Sequence, residues 1–553
     1  MPSRRAFLAA TAATAAFAAA PGAPGAKEGV AWAATGAVTA SSLDLAPLDP
    51  KPLLDDRVGR GLVRSVLIRW GDAVLPAAPA FAPDHPSAEA AGHQFGWDGV
   101  VAGITVPPPA GDGIARLVAT IAHPWPEPAM AFPDGAAHPA IAARMQGASV
   151  LDLQFTGGRW LVVAGGYQMR RLDDTTLCRL TGPAAGAVGN VVQGLLAPSG
   201  GAATPWGTVL LGEDAVAPHL AALAGVEKRF AAAGMAARFG WVTEIDPLDP
   251  FNIPAKRTAL GRFPHAGIAA GRSADGRAVV FLAVDRPEGR LLRFVSAAPV
   301  AAGGPRANDA LLDSGTLAVA RLKGRKLVWQ ALDGTVPSMV GALDAASAAG
   351  GEGFDHPAGL ALAPGGALFL ACRGNPARRT PDFLNPRAGN AAGHVLAFHP
   401  EGGDLAAAAF AAEVALLGGD PKQDATARYG AGSPAWLARP ATLSFDPAGR
   451  LWIGSDQGGE ISATADGLYA MDVRGPGRYV LEAAYFAPLG AAVGGIGFSP
   501  KGRSGFAVVR HPGAVAGADF ARPATRWPTV RPGMPPQSAL IGLARRDGGR
   551  LGG

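Results

Sequence analysis

The sequence is short of cysteine, of charge and of long apolar runs, and each shortage excludes a class of protein. Its 553 residues include only two cysteines, Cys178 and Cys372, so a Cys-rich zinc site is excluded. The two could form one disulfide, but two separate core thiols are the favoured interpretation. Charged residues make up 17% of the chain, the net charge is +5, and no Lys/Arg block stands out. A nucleic-acid-binding protein is therefore not expected.

Two catalytic motifs are also missing. The sequence has no Gly-x-Ser-x-Gly elbow of the kind that carries a serine nucleophile. The stretch Gly182-Pro183-Ala184-Ala185-Gly186 lacks the Gly-Lys-Ser/Thr of a phosphate-binding loop and is interpreted as a plain turn.

What the chain has in abundance is apolar residues, glycine and proline. Hydrophobic residues account for 48%, with 77 glycines and 49 prolines. This composition allows a large core and favours many short elements joined by turns over long helices.

The N-terminus has the pattern of an export signal. Ser3-Arg4-Arg5-Ala6-Phe7-Leu8 leads into an Ala-rich apolar stretch that ends near Ala20. This pattern predicts a twin-arginine signal peptide over residues 1–30, recognition by the twin-arginine translocase, and a periplasmic or secreted protein. The apolar run is too short for a membrane anchor, so stable membrane insertion is not expected. Residues 31–60 are predicted to be an irregular segment.

One unit recurs after residue 61: an apolar run, a turn with glycine, then an apolar strand. Aligned on the turn glycine, its copies are 53 to 118 residues apart. The turn glycines are Gly158, Gly276, Gly366, Gly449 and Gly502. Each copy is typical of a β-hairpin. The repeat predicts an all-β fold over residues 61–553, a β-propeller of roughly six blades with inserted subdomains and a few short helices; an array of β-sandwiches is the alternative.

Two insertions are predicted to be helical. They are Leu220–Arg238, which is rich in Ala and Leu, and Ala406–Leu416.

The stretch Thr204–Asp214 is a candidate site because a turn and a short strand deliver two adjacent carboxylates, Glu213 and Asp214. Loops and strand ends of a rigid sheet are common places for functional side chains. Several blocks along the chain then resemble, in order, the PhoX family of exported, calcium-dependent alkaline phosphatases. These blocks are Leu67–Asp72, Thr204–Asp214, Phe239–Pro247, Lys256–Phe263, Leu312–Leu317, Asn385–Arg387, Gly393-His394 and His511-Pro512-Gly513.

The resemblance implies a six-bladed propeller with an axial calcium–iron cluster that hydrolyses phosphate monoesters. Hard cations held by carboxylates would stabilise the charge on a transferring phosphoryl group. Much of the ligand set that the family would place there is replaced in this sequence. The replaced family positions are Pro124, Ser199 (for a cysteine), Ala266, Val284, His356 (for a phosphate-facing arginine), Ala358, Ala441 and Ala514.

A remnant metal-ligand set survives: Glu213, Asp214, Asp285, Asp456 and Asn375. Calcium takes about 6–8 oxygen ligands, so this set allows a reduced calcium site at most, and iron is not expected. The alternative for these acids is that they bond nearby backbone N–H groups at strand ends.

Three functions therefore remain open. The first is an exported phosphatase of this family, acting on a phosphate ester, with activity weakened or lost. The second is a non-catalytic propeller that serves as a binding or scaffolding module. The third is a hydrolase that uses a different metal, for which the histidines are candidates. These histidines are His123, His265, His356, His394 and His511. The catalytic residues themselves are not identified by the sequence.

Overall fold

The computed structural model describes residues 41–457 and 463–553. The predicted signal peptide, residues 1–30, lies outside these residues. Residues 41–56 carry no helix or strand, and a two-residue strand, Arg57–Val58, lies in the last part of the segment 31–60.

The described strands form five sheets that make up the six blades of a propeller, as predicted, because one nine-stranded sheet contains two blades. All pairings between these strands are antiparallel except that of Ala255–Arg257 with Leu177–Thr181. Blade 1 contains β3 (Val100–Thr105), β4 (Arg116–His123), β5 (Gly147–Thr156) and β6 (Arg159–Val162), with β7 (Arg170–Leu172) beside β5. Blade 2 contains β10 (Pro198–Ala203), β11 (Val209–Glu213), β12 (Val242–Ile245) and β13 (Ala255–Arg257), extended by β8 (Leu177–Thr181) and β9 (Val191–Gln193). Blade 3 contains β14 (His265–Arg272), β15 (Arg277–Val284), β16 (Leu291–Pro299), β17 (Gly315–Lys323) and β18 (Lys326–Ala331).

The remaining three blades complete the ring. Blade 4 contains β19 (Pro357–Leu362), β20 (Leu368–Cys372), β21 (His394–Pro400) and β22 (Ala409–Leu417), and β22 pairs with β18 at the outer edge. Blade 5 contains β23 (Pro440–Phe445), β24 (Leu451–Ser455), β25 (Gly467–Met471) and β26 (Leu481–Phe486), extended by β1 (Arg57–Val58). Blade 6 contains β27 (Ala492–Phe498), β28 (Ser504–Arg510) and β29 (Ala539–Arg545).

The ring is closed by the beginning of the described chain. Strand β2 (Leu62–Arg69) pairs with β29, so blade 6 combines strands from both ends of the propeller. The innermost strands β3, β10, β14, β19, β23 and β27 contact their neighbours around the axis, and β27 contacts β3.

The helices are short and lie in connections between strands. They are α1 (Ala88–His93), α2 (Pro128–Ala131), α3 (Pro139–Met145), α4 (Ala185–Val188), α5 (Val216–Ala224), α6 (Val336–Val340) and α7 (Ala342–Ala348). Single 3₁₀ turns occur at Lys228–Ala231, Met235–Arg238, Thr258–Leu260, Arg306–Asn308 and Glu401–Gly403. In the described part of the chain, no helix has the length and apolar character that a membrane crossing requires.

Of the two segments predicted to be helical, one is helical in part and the other is a strand. Leu220–Arg238 is helical in part, through α5 and two 3₁₀ turns. The prediction for Ala406–Leu416 was wrong, because Ala409–Leu417 is the outermost strand of blade 4. The Ala-rich sequence is held as a strand by pairing with β21 on one side and β18 on the other, so tertiary pairing overrides local helix propensity.

The core consists of apolar layers between the blades. Six clusters of buried side chains fill the six interfaces, and a seventh lies under the helical insertions near Trp70. The framework tryptophans Trp206, Trp241, Trp452 and Trp527 are all buried in these layers. Cys178 and Cys372 are buried free thiols, as favoured from the sequence.

Candidate functional site

A cavity of about 530 Å³ follows the propeller axis, and all six innermost strands line it. Its charged lining residues are Asp285, Arg373, Arg510 and Asp446, and the last of these is paired with Arg450. This position, which every blade faces, is the candidate functional site.

Each innermost strand has a register shift against the second strand of its blade. The shifts fall between Val101/Gly103, Pro198/Gly200, His265/Ile268, Pro357/Leu360, Pro440/Thr442 and Val493/Ile496. A β-bulge bends its strand and re-aims a side chain, and bulges are common next to active sites. A β-bulge at the equivalent place in each blade therefore gives the fold six positions from which a side chain can face the axis.

The residues at these bulges are all small. They are Ala102, Ser199, Ala266-Gly267, Ala358-Gly359, Ala441 and Gly494-Gly495. Four of the replaced family positions, Ser199, Ala266, Ala358 and Ala441, therefore lie in bulges and line the axial cavity. The hydroxyl of Ser199 is already used, since it donates to the His265 carbonyl oxygen at 2.7 Å. The bulge ring offers no carboxylate.

The other replaced positions lie in connections between strands or at the end of a strand, at the same end of the blades. Pro124 directly follows β4, His356 directly precedes β19, and Val284 is the buried last residue of β15. Ala514 packs in the cluster near Trp70.

A second set of positions lies at one end of the blades, where the second strands end. These strands end at His123, Glu213, Val284, Cys372, Ser455 and Arg510. The residues that follow are Pro124, Asp214, Asp285, Arg373, Asp456 and His511. Equivalent positions in consecutive blades thus explain why Asp214, Asp285 and Asp456, far apart in sequence, all come to one end of the propeller.

Glu213 is fully buried and its carboxylate is bound by the fold. Oε1 accepts from Lys256 Nζ at 2.7 Å and from the Leu196 N–H at 2.9 Å. Oε2 accepts from the backbone N–H groups of Gly240 and Trp241, at 2.7 and 3.2 Å. Lys256 is fully buried as well. Glu213 is outside the cavity lining, and its contacts are those of an internal ion pair.

Asp456 takes part in a network around Arg510. The Arg510 guanidinium donates to Asp456 Oδ2 at 3.0 Å and to both carboxylate oxygens of Asp98, at 2.9 and 2.7 Å. Burial opposes a charged Asp98, but the Arg510 charge outweighs it and lowers the pKa of Asp98. Burial likewise opposes the charged form of Arg510, but the Asp98 and Asp456 carboxylates raise its pKa. The carboxylates of Asp98 and Asp456 are thus both paired with the guanidinium of Arg510, which is always charged.

The remaining candidate ligands have separate surroundings. Asp285 lines the cavity and its Oδ1 lies 2.6 Å from His356 Nε2. Asn375 is buried, donates to Glu288 at 3.1 Å and accepts from the Ala377 N–H. Asp214 is partly buried, and its own backbone N–H donates to the Ala197 carbonyl oxygen. Asp285 is the member of the remnant set that lines the cavity.

The candidate histidines do not form a common site. His123 bonds the Asp98 carbonyl oxygen and the Ser149 hydroxyl, and His394 bonds Asn390 and the Leu384 carbonyl oxygen. Burial lowers the pKa of His123, His265 and His394 to about 3 in each case. These rings are therefore neutral parts of the core.

The described residues contain no group of three His, Cys, Asp or Glu side chains placed to hold a metal ion. The chemistry of the donors explains this result: the bulge ring is neutral, Glu213 is bound to Lys256, and Asp456 is bound to Arg510. These residues do not fit a multi-metal calcium–iron cluster.

Sequence reasoning missed three charged residues of this site, Asp98, Arg373 and Arg510. Two of them could have been found by the rule that singled out Asp456. Arg373 follows the strand Leu368–Cys372, and Arg510 ends the strand before His511-Pro512-Gly513.

The profile of the family described as alkaline phosphatase PhoX matches residues 43–513. The solved structure of Pseudomonas fluorescens PhoX in complex with vanadate, a transition state analogue, is 27% identical. It covers 93% of this chain and 99% of its own, with a TM-score of 0.81. A gluconolactonase from Xanthomonas campestris is 11% identical, covers 82% of this chain and 98% of its own, and has a TM-score of 0.27, too low to carry an argument. No curated protein matches the sequence.

Proposed function

Because the chain belongs to the alkaline phosphatase PhoX family, we propose that it is an exported member in which metal-dependent hydrolysis of phosphate monoesters is weakened or lost. Its main role is then binding at the propeller axis. The observation that carries this proposal is the ring of six axial bulges, whose residues are only Ala, Ser and Gly.

The physical reason is the charge that phosphoryl transfer requires. Cations must face the oxygens of the transferring group, and hard cations need several carboxylates to hold them. Among the described axial residues, Asp285 contacts His356, and Asp456 contacts Arg510. Loss of one donor to a developing charge can lower a rate by about 10²–10³. Loss of several should therefore remove family-level turnover.

The test is hydrolysis of p-nitrophenyl phosphate by the purified mature protein, with and without chelator and with added calcium and iron. Pseudomonas fluorescens PhoX serves as the positive control. We expect kcat/KM at least about 10³ below that control, and no loss on chelation. Chelator-sensitive turnover at the level of the control would contradict the proposal.

A weak phosphatase with a reduced calcium site is the second candidate. It is favoured by the placement of Asp214, Asp285 and Asp456 at one end of the axis, with Asn375 on the same blade as Arg373. Iron is not part of this proposal, because Ser199 is a poor replacement for a thiolate ligand. A calcium-dependent rise in Tm that Asp285→Asn abolishes would support it. A hydrolase with a different metal is the third candidate, for which the contact between His356 and Asp285 is the starting point.

Export by the twin-arginine pathway is also part of the proposal and rests on Ser3-Arg4-Arg5-Ala6-Phe7-Leu8. Cell fractionation tests it: the protein should be found outside the cytoplasm, and Arg4→Lys/Arg5→Lys should retain it inside. Export of this variant at the normal level would contradict the twin-arginine route.

A further inference from the structure

Arg373 differs from the other charged residues of the axial cavity in its contacts. It directly follows β20, is partly buried, and lines the cavity. Its Nε is buried without a hydrogen-bond partner. Within residues 41–457 and 463–553, its guanidinium makes no hydrogen bond, ion pair or cation–π contact. A guanidinium has five N–H donors, and buried donors are nearly always satisfied in folded proteins.

Other arginines with a buried, unbonded Nε show that this is unusual. Arg170, Arg171, Arg290, Arg293 and Arg387 share that feature, but each of them donates to the protein through a terminal nitrogen. Their charges are therefore part of the fold, whereas the donors of Arg373 are left for something in the cavity.

The other charged residues of the cavity do not neutralise the guanidinium of Arg373, because they have partners of their own. Arg510 is bound by Asp98 and Asp456, and Asp285 contacts His356. The bulge ring beside them is neutral. Arg373 is thus the one cation among the described cavity-lining residues for which the described chain provides no partner.

We propose that Arg373 binds a tetrahedral oxoanion, either inorganic phosphate or the phosphate group of a monoester, in the axial cavity and without a metal ion. The planar fork of a guanidinium matches two oxygens of such a group. Arg373 enters beside His356, since its backbone N–H donates to the His356 carbonyl oxygen at 2.9 Å. His356 occupies the position where the family resemblance places a phosphate-facing arginine, so Arg373 would provide that charge from the adjacent strand. The choice of phosphate as the ligand rests on the proposed function.

Isothermal titration in the presence of EDTA tests this proposal. Inorganic phosphate and phenylphosphonate, a monoester analogue that is not hydrolysed, are titrated separately, so that the better ligand identifies the source of the anion. We expect at least one to bind the wild-type protein. Arg373→Gln should weaken that binding about tenfold or more, because a hydrogen bond to a charged group is removed. Arg159→Gln, an exposed arginine on β6, is the matched control and should bind like the wild type.

Three results would overturn the proposal: no binding of either anion at millimolar concentration, equal affinity in Arg373→Gln, or binding that appears only in a parallel titration without EDTA. Thermal unfolding establishes that the variants fold. If Arg373→Gln does not fold, the titration is repeated with Arg373→Lys. Lysine keeps the charge but lacks the planar guanidinium, so its affinity for the anion should still be lower than that of the wild type. The turnover assay described above tests the proposed function separately. Absence of anion binding would overturn the role of Arg373 and leave the loss of turnover standing. Turnover at the level of the control would overturn the proposed function, whatever the titration shows.

Discussion

Glu213 and Arg373 lie at nearly equivalent places, one at the end of the second strand of blade 2 and the other just after the second strand of blade 4. Glu213 is enclosed, and Lys256 with three backbone N–H groups binds its carboxylate. Arg373 faces the axial cavity, and none of the described residues binds its guanidinium. A charged residue at a strand end is therefore ambiguous until its partners within the fold are known.

The largest effect should come from removing the partner of Glu213. Lys256→Met leaves a fully buried carboxylate without its cation, and it removes the ammonium that lies 4.0 Å from the centre of the Phe239 ring. Breaking a buried ion pair in this way costs about 3–5 kcal/mol. The free energy of unfolding, measured with denaturant, should fall by that amount.

Two controls sharpen this result. Lys326→Met breaks an exposed pair with Glu401 and should cost less than about 1 kcal/mol. Glu213→Gln/Lys256→Met should recover part of the loss, since no buried charge remains. If Lys256→Met is as stable as the wild type, Glu213 is not held as an internal ion pair and becomes a candidate ligand again.

A smaller effect, counted per pH unit, should come from single buried histidines, which are enclosed like Glu213. Burial lowers the pKa of His265 to about 3, so the folded protein keeps the ring neutral while the unfolded chain protonates it below its usual value of 6.5. This contribution to stability is complete above pH 6.5 and is lost as the pH falls towards 3. The expected slope is about 1.4 kcal/mol per pH unit for each such histidine.

Unfolding measured between pH 6.5 and 3 should therefore show a shallower slope in His265→Phe than in the wild type. His85→Phe is the control, because His85 is exposed in the folded protein, and its slope should not change. An unchanged slope in His265→Phe would show that the ring is accessible to protons in the folded state.

The smallest effect is a difference in thiol reactivity between position 373 and the residue before it, Cys372. Cys372 is fully buried, and burial raises its pKa; burial raises the pKa of Cys178 to about 12. Because the thiolate is the reactive form, neither should react with a thiol reagent until the protein unfolds. A thiol at position 373, in Arg373→Cys, should react in the folded protein. Protection of that thiol would show that position 373 does not face the cavity.

The sequence was enough to predict the propeller because its turns are local features. Gly276, Gly366, Gly449 and Gly502 all have positive φ and join the first two strands of blades 3 to 6. Gly158 instead joins β5 and β6 at the outside of blade 1. It is not equivalent to the other turn glycines, so the number of residues from Gly158 to Gly276 is not a multiple of the blade repeat. The equivalent turn of blade 2 contains Gly207, at the front of the stretch with Glu213.

The site could be predicted only in part, because its geometry depends on contacts between blades. The family resemblance pointed to Ser199, Ala266, Ala358 and Ala441, and all four line the axis. Whether a charge faces that axis depends on partners distant in sequence, and these cannot be derived from spacing. Glu213 is bound by Lys256, and Asp456 by Arg510, across 43 and 54 positions of the chain.

The most direct test of the account is the metal content of the wild-type protein beside a variant in which the axial ring is charged again, Ala266→Glu/Ala358→Glu/Ala441→Asp. Both are purified in the same way, incubated with calcium and iron, and analysed by elemental mass spectrometry after gel filtration. The account predicts no stoichiometric calcium or iron in the wild type and a gain of bound metal in the variant. Stoichiometric calcium and iron in the wild-type protein would contradict it.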